Sequence, residues 1–328
     1  MRKYFPLILS ICAQVTVSYA DTFTLPPADV ELVGSLTTTR VQKNENLLEI
    51  ARRFDIGQNE IKLANPGLNR WSPPEGAEVL LPKRFILPEA PYRGIVLNIP
   101  EMRMYYFPKP RTGEPPKVVT HPVSIGRMDW STPLGTTKIV AKVKDPEWRP
   151  PESIKKEHAL DGEILPDVVP AGPDNPLGEY AMRLGIPGYL IHSTNKPLGI
   201  GMRVTHGCVR MYPEDIERLF PEIKVGTPVT LINQPIKVGW FADDLYIEVH
   251  PPLEEESQSY EKMLEQALTL IERKTAGRSV SINGRALREA LQKQQGIPVK
   301  ISSSSAVRTV WHMQRNRPRK VQGLRIHT

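Results

Sequence analysis

The 328-residue sequence carries 43 Lys and Arg against 36 Asp and Glu, a formal net charge of +7, with 40% hydrophobic residues and two cysteines. That length and apolar content exclude a disordered or fibrous chain and predict two or three packed domains. Two cysteines exclude a disulfide scaffold, and 33 prolines argue for long, stiffened loops rather than helical bundles.

At the start, Arg2 and Lys3 precede an apolar run from Phe5 to Ala13, and Ser18-Tyr19-Ala20 supplies small residues where a cleavage site needs them. This is the pattern of a secretory signal peptide over residues 1–20, with Asp21 as the new N-terminus. The apolar run falls well short of the roughly 20 residues of a bilayer span, bulky Ile11 disfavours a lipid anchor on Cys12, and no later segment is apolar enough to cross a membrane. Removing the segment takes away Cys12, two bases and no acid, so Cys208 remains as the only thiol and the excess charge becomes +5. The expected location is an exported, oxidising compartment, the periplasm. Nucleic acid is therefore disfavoured as a partner, and the mild positive balance suits an anionic polymer such as a cell wall.

Residues 40–83 form the first predicted unit. Asn46 can cap a helix that carries Leu47, Ile50, Ala51 and Phe54 on one face, and a second short helix near Gln58–Ala64 stops at Asn65-Pro66-Gly67. Strands are expected at Thr39–Gln42 and Glu78–Leu81. This strand–helix–helix–strand unit resembles the LysM module, which implies binding of N-acetylglucosamine-containing glycans. The stretch ENLLEIARRFDIGQNEIKLANP followed by EGAEVLLP carries the resemblance; Asn44-Glu45 stands where the module usually has a glycine–aspartate pair.

Residues 84–91, with Pro88 and Pro91, read as a linker. From Tyr92 to Asn233 the pattern changes to short β runs: RGIVLNIPEMRMYYFP, KVVTHPVSIG, GTTKIVAKVK, GYLIHS and TPVTLIN. Between them the Pro-, Gly- and Asp-rich segment from Pro146 to Gly178 is expected to be an irregular binding loop or lid. A short helix is expected at YPEDIERLFP. Residues 234–301 form a C-terminal extension: two possible strands in VGWFADDLYIEVH, a helix with Tyr260, Met263, Leu264, Ala267 and Ile271 on one face, and a second helix over about Gly284–Gln294. Residues 302–328, basic and serine-rich, read as a flexible tail. The fold class is thus mainly β with α+β parts: a β-rich central domain, a small βααβ domain before it, and an α/β extension after it.

Cys208 follows His206-Gly207, and an exported chain has little reason to keep an idle thiol. A thiol attacks as the thiolate, and its ordinary pKa near 8.5 leaves few molecules ionised at neutral pH. An imidazole can take that proton and hold the resulting ion pair. His192, at the end of the apolar run GYLIH, is placed to be that base, and Ser193 can orient it through its backbone carbonyl or hydroxyl. Gly207 removes bulk beside the sulfur, and the amides of Gly207 and Cys208 can form an oxyanion hole. Gly199 and Gly201 let the intervening loop fold back.

The stretch IHSTNKPLGIGMRVTHGCVRM resembles the signature of L,D-transpeptidases of the YkuD type. In that resemblance His192 matches the general base, Thr205 the Ser/Thr, His206 the second histidine, Gly207 the glycine, Cys208 the nucleophile and Arg210 the final polar residue. VSIGRMDWSTPLGTTKI and VVPAGPDNPLGEYAMRL point to the ErfK/YbiS branch. The resemblance implies a β-rich domain over 92–233 and peptidoglycan as substrate. The thiolate would attack the carbonyl between diaminopimelate and D-alanine of a tetrapeptide stem, expel D-alanine, and pass the acyl group to an amine. That amine would belong to another diaminopimelate, giving a 3→3 cross-link, or to a lysine of an outer-membrane lipoprotein. No cofactor or metal is implied. Thr205, His206 and Arg210 are candidate substrate-binding residues; Arg210 and His206 could hold a substrate carboxylate, shape the oxyanion site, or be structural. Tyr180 and Tyr189 are either substrate contacts or packed aromatics.

Two other readings share these residues. An L,D-carboxypeptidase or cysteine peptidase would use water as the acceptor, and a wall-binding protein would not use the pair at all. A metal site is disfavoured because His121, His158, His192 and His206 lack ligand spacing; His121 and His158 are expected on the surface or in loops.

Overall fold

The computed structural model describes residues 21–27 and 29–303 and the backbone of residues 325–327. The expected signal peptide lies outside the described residues. The N-terminal strand β1 (Asp21–Thr24) leads to β2 (Leu32–Arg40), then helices α1 (Leu47–Arg53) and α2 (Gln58–Ala64), then β3 (Glu78–Ile86). β2 and β3 pair antiparallel along their whole length, from Leu32–Ile86 to Arg40–Glu78. Asn46 caps α1, accepting from the Leu48 and Glu49 amides, and Glu49 answers by accepting from the Asn46 amide. Val41, Leu47, Ile50, Ile56, Ile61, Val79 and Leu81 form this module's own core.

The first strand thus lies seven residues earlier than expected, and the supposed linker does not begin at 84. β3 continues because Phe85, 2% exposed, packs edge-on against Tyr105 of the central domain while the Ile86 amide donates to Glu248 of the C-terminal part. One strand is shared between three units.

The central domain contains β4 (Gly94–Asn98), β5 (Arg103–Phe107), β6 (Lys117–Pro122), β7 (Ile125–Gly126), β8 (Gly135–Lys144), helix α3 (Glu152–Leu160), β9 (Tyr180–Leu184), β10 (Leu190–His192), β11 (Arg203–Thr205), β12 (Val209–Arg210), helix α4 (Pro213–Glu222) and β13 (Pro228–Ile232). Nine strands form one mixed sheet in the order β1-β6-β5-β4-β13-β8-β9-β10-β12. Its core includes Ile95, Leu97, Met104, Ile139, Met182, Ile191, Val209 and Met211. The irregular segment expected from 146 to 178 contains α3, which a run of polar residues ending at Leu160 does not advertise. His121, expected at the surface, lies on β6 and is 1% exposed.

The C-terminal part contains β14 (Ile236–Phe241), β15 (Asp244–Val249), α5 (Tyr260–Thr275), β16 (Ser281–Asn283), α6 (Gly284–Lys293), β17 (Val299–Lys300) and β18 (Ser302–Ser303). Met263, Ala267 and Ile271 of α5 face this unit's core, as their helical spacing predicts. β18 pairs with β16, and the backbone of β19 (Arg325–His327) adds a parallel strand, so folding continues past the expected boundary at 302. The rest of the basic tail lies outside the described residues. No described helix is long and apolar enough to cross a membrane.

The N-terminal module is fastened to the central domain by its helix start. α2 begins at Gly57, which has no capping side chain, leaving amides without intrahelical acceptors. The Ile200 and Gly201 carbonyls accept from the Gln58 amide at 2.8 Å and the Asn59 amide at 3.1 Å. Gly201 has φ +87, and a Cβ there would lie 2.4 Å from the Gly57 Cα. Its glycine character therefore serves this close approach. Beside it, Arg103 donates twice to Glu60 in a buried fork, at 2.8 and 2.9 Å.

Candidate active site

β10 and β12 run parallel, with Ile191 opposite Val209 and His192 opposite Arg210. Side chains alternate along a strand. Ile191 and Val209 turn into the core at 0% and 1% exposure, so Leu190, His192, Cys208 and Arg210 project from the other face. His192 and Cys208 line one cleft of about 690 Å³ together with Trp130, Trp148, Tyr189 and Arg210. The fold thus brings the expected nucleophile and base to one face, offset by two residues on adjacent strands.

The turn before the sulfur is built for it. Thr205 donates to the Cys208 carbonyl at 2.6 Å, and Thr132 donates to the Gly207 carbonyl at 2.9 Å. Thr205 is 1% exposed, lines the same cleft and supports the turn through this bond. Gly207 has φ +96, and a Cβ would sit 2.6 Å from the Tyr189 ring. Only glycine fits both the backbone and the space. No described group accepts from the Gly207 or Cys208 amide, so both donors remain available.

Both titrating groups are held neutral in the free protein. Burial, with the Arg210 guanidinium second, pushes His192 down to about 3, against backbone hydrogen bonding at Ser193 and Leu177. Burial also raises the Cys208 thiol above its ordinary value, opposed by the Leu190 backbone and by Arg210. Both shifts favour a thiol beside a neutral imidazole over an ion pair in the free protein. The hydrogen bond at Ser193 is to its backbone, one of the two contacts its position allowed. His192 Nδ1 is buried without a hydrogen-bond partner.

Arg210 is half-buried and forms no ion pair with any described residue, and its Nε is likewise unpartnered. Its positive charge faces the cleft and suits an anionic substrate group. His206 turns away. Its Nε2 lies 3.1 Å from Glu157 on α3, its ring meets Trp130 edge-on at 5.3 Å, and burial lowers its pKa. Tyr189 lines the cleft, whereas Tyr180 packs on Phe220 at 5.0 Å.

Sequence reasoning missed the contacts that hold the segment 146–178. Arg127 and His206 both bind Glu157. The Trp148 and Val169 backbones bridge the segment's base, donating to each other at 2.9 and 2.8 Å. Asn175, 0% exposed, donates to the Pro146 carbonyl at 2.8 Å. No spacing signals these partners, which are far apart in sequence.

The YkuD family, described as an L,D-transpeptidase catalytic domain, matches residues 92–231. The chain is 36% identical over 307 residues to the probable L,D-transpeptidase YbiS of Escherichia coli strain K12, covering 92% of this chain and 99% of that protein. It is 39% identical over 295 residues to the probable L,D-transpeptidase ErfK/SrfK of the same strain, covering 88% and 93%. The crystal structure of L,D-transpeptidase 3 from Mycobacterium tuberculosis aligns over 48% of this chain and 67% of that one, at 20% identity and TM-score 0.32.

Proposed function

The chain belongs to the L,D-transpeptidase family, an enzyme family that acts on peptidoglycan, and from that premise we propose that Cys208 takes the acyl group of a tetrapeptide stem as a thioester. The observation that carries this reading is the placement of Cys208 and His192 on one face of β10–β12, opening into one cleft. Because both groups start neutral, the proton moves from sulfur to His192 as the sulfur attacks. The Gly207 and Cys208 amides stabilise the oxyanion. The C–N bond to D-alanine then breaks, and the proton on His192 passes to the departing amine. Arg210 holds a carboxylate of the stem.

An amine acceptor attacks the thioester and restores the thiol. Two sources fit: the side-chain amine of a second diaminopimelate, giving a 3→3 cross-link, or a lysine of an outer-membrane lipoprotein. The reaction takes place in the periplasm, after removal of residues 1–20, and the module of residues 40–83 binds glycan strands. Exposed Trp71, with Arg70 over its ring at 4.9 Å, borders a cleft suited to a sugar face.

Intact mass measurement with a tetrapeptide muropeptide tests the central step. The wild type should gain the acyl mass and release D-alanine, and Cys208→Ala should do neither; an unmodified wild type overturns the proposal. Product analysis with muropeptide alone and with a lipoprotein then separates cross-linking, anchoring and hydrolysis.

A further inference from the structure

Two buried clusters of acids and histidine lie outside the cleft. In one, Glu101, Glu248 and His250 surround the Lys237 ammonium, 3.0 Å from Glu101 and 2.7 Å from Glu248. His250 is bonded to Glu248 at 2.7 Å. That cluster contains its own cation.

The second does not. Asp55 from the α1–α2 turn, His121 from β6 and Asp215 from α4 meet at the seam between the N-terminal module and the central domain. They are 3%, 1% and 2% exposed, and one ligand atom of each lies within 4.8 Å of the others. Among the described residues no donor reaches either Asp55 oxygen, either His121 ring nitrogen or Asp215 Oδ2, and Asp55 and Asp215 can bond to each other only when one of them carries a proton. The nearby Arg103 guanidinium favours the charged form of both carboxylates, and Arg218 that of Asp215, but the N–H groups of Arg103 are given to Glu60 and, at 3.0 Å, to Thr120 Oγ1 rather than to the cluster. Two carboxylates buried without partners are costly.

The spacing suggests what joins them. His121 Nδ1 lies 3.5 Å from Asp215 Oδ2, too long for a hydrogen bond. Donors bound to zinc at about 2.0–2.1 Å in a tetrahedron stand about 3.3 Å apart. Calcium and magnesium call for six or more oxygen donors, whereas one imidazole and two carboxylates suit a first-row divalent ion.

We propose that Asp55, His121 and Asp215 bind a structural divalent cation of the zinc type that pins the N-terminal module to the central domain. Water completes the coordination. None of the three residues lines the Cys208 cleft, so the ion stands apart from acyl transfer. Its effect is on the position of the module, because Asp55 comes from one unit and the other two ligands from its neighbour.

The full chain, prepared without metal-affinity purification, is assayed for bound metal by mass spectrometry of its elements. About one zinc per chain is expected. Cys208→Ala should keep it, which excludes the thiol as ligand, and His121→Ala should lose it. Should His121→Ala fail to fold, the wild type alone decides. Chelation should lower its melting temperature, zinc should restore it and magnesium should not, and acylation of Cys208 should change less than the melting temperature implies. A wild type with no bound zinc and no melting shift on zinc addition overturns the proposal in favour of a proton shared between the two carboxylates. Zinc lost in Cys208→Ala but kept in His121→Ala overturns it in favour of the sulfur.

Discussion

Glu157 on α3 lies 3.1 Å from His206, two residues before Cys208, and also accepts from Arg127. Helix α3 is thereby latched to the turn that carries the sulfur. Glu157→Gln removes the charge that both partners hold. The expected result is a several-fold rise in KM for the muropeptide donor, with kcat changed little, and faster reaction of Cys208 with a bulky maleimide. Unchanged KM and labelling would show that the latch does not control access. Arg127, and then His206, keep the Glu157 carboxyl below its usual range. The latch is therefore intact above the ordinary carboxylate range and is lost as pH falls through the depressed value.

The neutral state of the cleft gives a distinct pH signature. His192, pushed down to about 3, stays unprotonated across the physiological range, and the raised Cys208 thiol stays protonated. Alkylation by iodoacetamide should therefore rise about tenfold per pH unit through neutrality as thiolate accumulates. A thiolate–imidazolium pair would instead give a plateau beginning in the acid range. Stopped-flow or mass-resolved alkylation over a pH series separates the two.

The legibility of this chain followed the range of its interactions. The module helices were visible because Asn46, Leu47, Ile50 and Ala51 combine a cap with a helical stripe, both local signals. His192 and Cys208 were visible because a thiol in an exported chain demands a reason and the motif around it is specific. α3 was hidden since its nine residues bury only Ile154, so no apolar stripe marks it. The support that Thr205 gives the turn was not legible, because a hydroxyl beside a nucleophile can face substrate or backbone, and only the fold shows the 2.6 Å bond to the Cys208 carbonyl. Asp55, His121 and Asp215 come from three distant segments, and no spacing rule connects them.

Gly207 should tolerate no side chain. Its φ of +96 alone costs an added Cβ of order 1–3 kcal/mol, before the 2.6 Å contact with Tyr189 is counted. Gly207→Ala is expected to lower stability by at least that amount in urea titration and to abolish detectable acylation. Adding Tyr189→Ala should recover part of the stability and little of the activity, because the backbone strain remains. Full recovery of acylation in the double variant would assign the glycine to packing alone.

The Arg103–Glu60 fork holds the seam on which the module's position depends. Arg103 is 0% exposed, lies 4.2 Å above the Phe85 ring centroid, and is held well above even its ordinary high pKa mainly by Glu60 acting against burial. Removing one partner strands a buried charge, which costs about 3–5 kcal/mol. Glu60→Gln should therefore destabilise the chain by roughly that amount in urea titration. Arg103→Met should cost less than Glu60→Gln, because it leaves an anion at a carboxyl that is partly exposed and can be hydrated. Glu60 also accepts from the Gly57 amide at 2.6 Å, and a neutral Gln is the weaker acceptor there, so the variant loosens the start of α2 where the Ile200 and Gly201 carbonyls bind. Hydrogen exchange should accordingly speed up at Gln58 and Asn59 before it changes at β10 and β12. Uniform acceleration across both units would mean that the module and the central domain unfold together and that the fork has no separate hold on the seam.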